Sequence, residues 1–358
     1  MQNTTRFKIW VCEYISAGGL ASETLPASLL QEGLLMRDAL LANLAALGVD
    51  CITSHDYRVM PPMHAQSVAI GPLDGANSVW QQQLAQSAVD ACWVIAPETD
   101  GVLHDLCQQV QALGLPWIGC SAQAIEDTTS KARMAERCRA AGVAVLPHVM
   151  LAEVKDFEAL PWDDQENQHG WVVKPEDGAG CEATFYFKNK SEVIEFNHNL
   201  KNNSLLQSSR FLLQPYVPGA ALSMSVIATN NAVKVIAAHR QQVEIINGEF
   251  IFSGAGVNEA AGQLNAMQRL AEQVQRAIPG LVGYWGADMI LKETGELVLV
   301  EVNPRLTTPY IALSQVLSQN PAAMILEAVL NNKLPDCIAE STVRLSLNSH
   351  QEGEYDRV

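Results

Sequence analysis

Short apolar runs and stretches of helical spacing alternate along the first 120 residues, and this order narrows the fold more than any other feature. An apolar strand over residues 7–12 runs into a glycine-ended loop at residues 13–19. Leu30, Leu34, Leu41 and Leu44 then follow at helical spacing until Gly48 stops the pattern. A strand over 49–53, a helix over 80–89, a strand over 91–96, a helix over 103–113 and a short strand over 116–119 continue the alternation. A strand that follows a helical crossover returns in its original direction, so the strands are expected to lie parallel with helices on both faces. Ligands on such sheets bind beyond the carboxyl ends of the strands. Those ends here carry the 13–19 loop, Asp56-Tyr57-Arg58 and Glu98.

A chain of 358 residues can bury a large core and is long enough for two or three lobes. With 48% hydrophobic and 17% charged residues it reads as folded. A net charge of −16 argues against nucleic acid or an anionic membrane as the main partner. A nucleotide stays open, because a local basic pocket with Mg²⁺ can sit in an acidic protein. The first residues lack the longer apolar core of a signal peptide, and no run of about 18 apolar residues marks a membrane span. The cysteines are scattered without a C-x-x-C pair, and Cys12, Cys51 and Cys92 lie in apolar surroundings. Free thiols in a reducing cytoplasm are expected, and no zinc site.

Three parts are expected, over 1–120, 121–213 and 214–358. The second holds a helix over 130–141, an extended stretch at 143–151, a polar loop at 162–170 and a strand ending in Val172-Val173-Lys174-Pro175. The third holds strands near 223–227, 233–239 and 242–246, a glycine-rich loop at Ser253–Gly256 and a helix over 266–277. It closes on a hairpin, with one strand through Asp288 and a second ending in Glu301-Val302-Asn303-Pro304-Arg305.

That hairpin carries the clearest chemistry. Side chains alternate along a strand, so Glu301 and Asn303 point the same way, and Asp288 can join them from its neighbour. Three hard oxygen ligands suit Mg²⁺ bridging a protein to nucleotide phosphates, and Arg305 sets a permanent cation beside them. Lys174 is followed by Gly178 and Gly180, whose backbone can approach phosphates closely. Taken alone, Lys174 is equally a snorkelling lysine on a hairpin and Lys131 a solvated residue at a helix start. Gln214 to Val217 reads as a hinge able to frame a flat base, or as plain packing. Arg240 ends a strand and is open to surface ion pairing as well as catalysis. His239 reads as a structural partner. No Ser-His-Asp or Cys-His order and no G-x-G-x-x-G stands out.

Lys131, the strand to Lys174, the Gly178–Gly180 loop, the hinge, Asp288 and the Glu301–Arg305 stretch occur in an order that resembles the ATP-grasp superfamily of carboxylate–amine ligases. The likeness spans about 120 to 310. It implies an α/β and α+β fold with an N-terminal parallel α/β lobe and two lobes clasping ATP, and a reaction through an acyl phosphate that yields ADP. In that scheme Lys131, Lys174, Gly178 and Gly180 hold the phosphates. Gln214, Tyr216 and Val217 frame the adenine, and Asp288, Glu301 and Asn303 bind Mg²⁺, with Mn²⁺ as a substitute. Arg305 and Arg240 stabilise the acyl phosphate. The Gly178–Gly180 and Ser253–Gly256 loops would act as lids. One departure concerns the ribose: many members carry an acid just after the hinge glycine, whereas Gly219-Ala220-Ala221-Leu222 offers none.

The first-lobe stretches Glu13–Gly19, Glu32–Met36 and Ala96–Asp100 look like those of the tyramine–L-glutamate ligases of methanofuran biosynthesis. This implies glutamate, through its γ-carboxylate, and an aromatic amine, tyramine or tyrosine, as small-molecule substrates. It implies neither nucleic acid nor membrane as a partner, and it leaves room for a homodimer. The competing expectations are an ATP-grasp ligase for another amino acid or peptide, a non-catalytic nucleotide-binding module, and a small-molecule binder without nucleotide.

Overall fold

A computed structural model describes residues 6–162, 168–178, 180–202 and 210–347. The first lobe runs β1 (Lys8–Glu13), α1 (Ala27–Ala46), β2 (Asp50–Asp56), β3 (Gln66–Ile70), α2 (Ala76–Gln86), β4 (Ala91–Ile95) and α3 (Val102–Ala112). Its four strands are all parallel, in the order β3-β2-β1-β4. The alternation within β1 shows why both faces need cover. Ile9 and Val11 join the core with Met36, Leu40 and Leu44 of α1, while Trp10 and Cys12 join Trp80 and Leu84 of α2. Strand β3 escapes the apolar pattern because it is an edge strand on which only Ile70 is buried. The strand expected at 116–119 reduces to one parallel bridge, Cys92 to Trp117.

Two helices follow, α4 (Ala122–Thr129) and α5 (Lys131–Ala140), each started by a serine, Ser121 and Ser130, whose hydroxyl accepts from the first turn. An antiparallel small lobe contains β5 (Val149–Met150), β6 (Trp171–Pro175), β7 (Phe185–Phe187), α6 (Lys190–Asn202) and β8 (Phe211–Pro215). Its core gathers Trp171, Val173, Val193, Phe211 and Leu213. Most of the acidic loop expected at 162–170 lies outside the described residues.

The large lobe runs β9 (Ala220–Ala228), β10 (Val233–Ile246), β11 (Glu249–Val257), α7 (Leu264–Ala277), β12 (Gly283–Leu291), β13 (Leu297–Asn303), α8 (Tyr310–Val316), α9 (Pro321–Asn331) and β14 (Val343–Ser346). Its strands pair antiparallel in the order β13-β12-β9-β10-β11, with β14 also on β11. Helix α5 packs against β13 and α7. The strands of the small and large lobes form one continuous sheet, joined through a single pairing, Glu249 with Phe185.

Two expectations are corrected here. The strands at 233–239 and 242–246 are one continuous strand, β10. The Ser253–Gly256 stretch is not a loop or lid: it lies inside β11, paired with β10 on one side and β14 on the other. Its glycines serve packing, since Gly254 has φ 143° and a Cβ there would run into the Leu345 carbonyl.

Candidate active site

Strands β12 and β13 set Asp288 directly opposite Glu301, and Gly286 opposite Asn303. The register shifts between Asp288 and Met289, which leaves Val300 as an extra residue on β13. A bulge of this kind re-aims neighbouring side chains, and Val300 and Glu301 both reach the cleft wall. Asp288 is held from two sides: Gln241 Nε2 donates to Oδ1 at 2.7 Å, and Asn303 Nδ2 donates to Oδ2 at 3.3 Å.

Burial first, and then the charge of Glu301, hold the Asp288 carboxyl far above the usual range. Burial acts on Glu301 in the same sense. Lys131, Lys174 and Arg305 outweigh it, with Asp288 adding a hydrogen bond, so Glu301 stays below its ordinary value. Of the two carboxyls, Asp288 is therefore the one that holds a proton more readily. Two facing carboxylates with an amide beside them form a donor set of hard oxygens that would suit Mg²⁺. Among the described residues no three His, Cys, Asp or Glu side chains cluster as a metal site, so Asn303 and the phosphates are needed to complete it.

The lysines flank this pair. Lys131 Nζ lies 3.5 Å from Glu301 Oε2 and donates to the Gly178 carbonyl at 2.8 Å. Helix α5 is anchored through Glu176, which accepts from the Ser130 hydroxyl at 2.6 Å and through its carbonyl from the Lys131 amide at 3.0 Å. Lys174, on β6, is buried, and burial lowers its ammonium to about 8 in spite of Glu301. Gly178 takes φ 129° and Gly180 φ 70°, conformations that favour glycine; residue 179 between them lies outside the described residues.

The hinge follows β8. Gln214, Tyr216 and Val217 line the same cleft, and the Tyr216 amide donates to the Gly170 carbonyl at 2.8 Å. Gly219 passes so close to β12 that a Cβ would sit 2.5 Å from the Leu291 carbonyl. Ala221, where an acid was missing, also lines the cleft.

Arg305 crosses to the first lobe. Its Nε and Nη2 donate to Glu98 Oε2 at 3.1 and 3.0 Å, and Nη1 donates to the Leu306 carbonyl. Burial works against its charge, and Glu98 more than restores it. The first lobe also supplies Glu13, which accepts from the amides of Ile15 and Ser16 at 3.3 and 2.8 Å, and Glu32, which accepts from the Thr308 hydroxyl. Both line the cleft together with Ile15, Leu29 and Met36. Asp56 instead pairs with Arg58 at 2.7 Å, and Arg58 also donates to the Leu20 and Glu23 carbonyls, so that strand end is a structural knot.

One expected residue is not brought in. Arg240 is 49% exposed and lies 3.9 Å from Glu259, itself 43% exposed. It sits opposite Leu222, on the sheet face away from Asp288, because strand period 2 turns His239 and Gln241 to the site and Arg240 from it. The neighbouring Gln241 is the β10 residue that reaches the site, through its hydrogen bond to Asp288. Ser223, opposite both Asp288 and His239, and Thr307 are further cleft residues that the sequence did not single out. The period-2 step from Asp288 across to β9 would have found Ser223 had the pairing been known.

The profile of the ATP-grasp domain matches residues 129–309, a span that contains Asp288, Glu301, Asn303, Lys131, Lys174 and Arg305 but not the first-lobe Glu13, Glu32 and Glu98. The chain belongs to the ATP-grasp family. The pre ATP-grasp 3 domain matches residues 49–125. The sequence is 24% identical over 306 residues to the tyramine–L-glutamate ligase of Methanocaldococcus fervens, covering 84% of this chain and 87% of that one. The fold matches the biotin carboxylase domain of the Hydrogenobacter thermophilus 2-oxoglutarate carboxylase, solved with MgADP and bicarbonate, at TM-score 0.68 and 16% identity, over 93% of this chain and 71% of that one. It matches the L-amino acid ligase of Bacillus licheniformis at TM-score 0.64 and 13% identity, over 91% and 74% of the chains. The expected class, an ATP-dependent carbon–nitrogen ligase of ATP-grasp fold, is borne out. No helix among the described residues is long and apolar enough to cross a membrane.

Proposed function

We propose that this ATP-grasp ligase joins glutamate to an aromatic amine of the tyramine kind through an acyl phosphate. The observation that carries the reading is the grouping of Asp288, Glu301 and Asn303 with Lys131, Lys174 and Arg305 in one cleft. A substrate carboxylate oxygen bonds to the γ-phosphorus while the bond to ADP breaks. The amine nitrogen then bonds to the acyl carbon, the bond to phosphate breaks, and nitrogen gives up a proton. Both partners in the first step are anions, so positioning and charge compensation dominate the barrier. A divalent cation held by Asp288, Glu301 and Asn303 supplies part of that compensation. Lys131 and Lys174 bind the phosphates, and Arg305, fixed by Glu98, meets the developing acyl phosphate. Val243, Phe250 and Phe252 of β10 and β11 line the cleft and exclude water that would hydrolyse it. The first-lobe end, with Glu13 and Glu32 among apolar side chains, suits an ammonium on an apolar body.

The test is phosphate release with ATP, Mg²⁺ and glutamate, with and without tyramine. Amine-dependent release is expected. The same assay with amino acids in place of tyramine separates the amino-acid or peptide ligase alternative. Failure of every carboxylate and amine pair to release phosphate would leave a nucleotide-binding module instead.

A further inference from the structure

We infer that the Thr307 hydroxyl is a hydrogen-bond donor of fixed sense, aimed into the cleft at the anionic oxygen of the carboxylate substrate or acyl phosphate beside Arg305. The identity of that anion rests on the ligase reading, whereas the sense of the donor does not.

The sense is set at His239, buried on β10. The Asn258 amide donates to His239 Nδ1 at 3.2 Å. A ring nitrogen that accepts carries no proton, so the proton is on Nε2. Nε2 faces the Ser225 hydroxyl at 2.9 Å and donates to it. Ser225 is buried, and the one partner left for its own proton is the Tyr284 hydroxyl at 2.7 Å, so it donates there rather than leave that proton unpaired. Tyr284, having accepted, donates to Thr307 Oγ1 at 2.8 Å. Thr307 is the end of the chain and still holds a proton. Among the described residues Tyr284 is the only hydrogen-bond partner of that hydroxyl.

The side chain is also fixed in place. Gly286 leaves room for it, since a Cβ there would lie 2.6 Å from Thr307 Cγ2. Thr307 is half-buried, two residues from Arg305, and both line the cleft. A lone threonine hydroxyl can turn to donate or accept. The buried chain removes the choice: reversing only its hydroxyls would leave the Ser225 proton buried and unpaired, and reversing the tautomer as well would leave the Asn258 amide facing an N–H. Burial lowers His239 to about 3, so the imidazole stays neutral and the chain keeps one direction at any working pH. A donor set in advance costs no reorganisation when charge develops on its partner. The adjacent guanidinium selects an anionic oxygen as that partner.

Three measurements test this. Nitrogen-15 NMR of imidazole-labelled protein, with the His239 signal assigned by its loss in His239→Gln, should show Nε2 protonated and Nδ1 bare between about pH 5 and 9. The opposite tautomer overturns the inference, and this arm requires no substrate. Thr307→Val keeps the shape and removes the donor, while Thr307→Ser keeps the donor. The valine variant should lose about tenfold to a hundredfold in kcat with the KM for ATP little changed, and serine should restore most of it. Unchanged kcat in folded Thr307→Val overturns the proposal. Inorganic phosphate bound in the presence of ADP and Mg²⁺ gives a probe without turnover. Its affinity should drop in the valine variant, and equal affinity, or no phosphate binding by the wild type, overturns the assignment to an anion. Failure of the ligase reading shows separately, as absent phosphate release by the wild type.

Discussion

Replacing Lys174 by Met should make the nucleotide-free protein more stable while it cripples ATP binding. Lys174 is only 6% exposed, and its ammonium is lowered from 10.5 to about 8. Keeping it charged at pH 7 therefore costs the fold about 3 kcal/mol relative to a free lysine, at 1.36 kcal/mol per pKa unit. The sign follows from proton counts. Between the folded and unfolded values the unfolded chain binds more protons, so stability rises with pH, and the penalty is full below 8 and gone above 10.5. The gain from Met, a straight apolar chain of similar length, should thus be about 3 kcal/mol at pH 7 and about 1 kcal/mol at pH 10. Urea unfolding of both proteins at several pH values reads this directly. On the proposed reading, the compensation for this cost comes with the phosphates. A charge-assisted contact contributes about 1.5–3 kcal/mol, so ATP affinity in the Met variant should fall by about ten- to a hundredfold. Lower stability at pH 7, a gain that does not shrink with pH, or an intact thermal shift with MgATP would refute the reasoning.

Glu301→Gln should leave the fold intact and lower Mg²⁺-dependent turnover by orders of magnitude; near-normal rates at low Mg²⁺ would remove Glu301 from the ligand set. Arg305→Ala should lower kcat more than ATP affinity, and equal losses would make Arg305 a binding residue alone. Arg240→Ala should change neither, with stability within about 0.5 kcal/mol in urea unfolding, because its ion pair is exposed; a lost rate would put Arg240 back in the mechanism. Ala221→Glu supplies the acid missing behind the hinge and should tighten ATP by about tenfold if its carboxylate reaches the ribose, which isothermal calorimetry measures; weaker or unchanged binding would show that the ribose is held elsewhere.

The Asp288, Glu301 and Asn303 grouping was legible because a hairpin is local and its side chains alternate with period 2. The bulge at Val300 was not, since one extra residue leaves no trace in apolar patterning. Arg240 was misplaced for a related reason: β10 is buried on both faces up to His239, so the sequence leading into Arg240 does not say which face meets the cleft. The 253–256 glycines read as a loop because glycine permits both turns and close strand approach, and only the arrival of β14 decides between them. Glu98 and Arg305 stand 207 positions apart, and their pairing depends on how the lobes dock, which no local pattern encodes. Glu13, by contrast, could be expected at the site from its place at the carboxyl end of a parallel strand.

Charge along the cleft gives this docking a consequence. Lys131 and Lys174 stand at one side of the Asp288–Glu301 pair, Arg305 lies past Asn303, and Glu13 and Glu32 lie at the first-lobe end. On the proposed reading, phosphates are drawn to the lysines, a carboxylate to Arg305, and an ammonium to the acids. A carboxylate placed at the acid end would meet Glu13, which accepts from two backbone amides, and Glu32, which already accepts from Thr308. Like charges in a buried cleft repel, so the reversed orientation is disfavoured without any shape-specific contact. The tie between Glu98 and Arg305 holds the two ends of this gradient in one frame. A protein of net charge −16 can still bind an anionic nucleotide because Lys131, Lys174 and Arg305 face one cleft. Glu98→Gln would loosen that frame and leave Arg305 charged and underpaired, so it should impair carboxylate binding although Glu98 itself does not line the cleft.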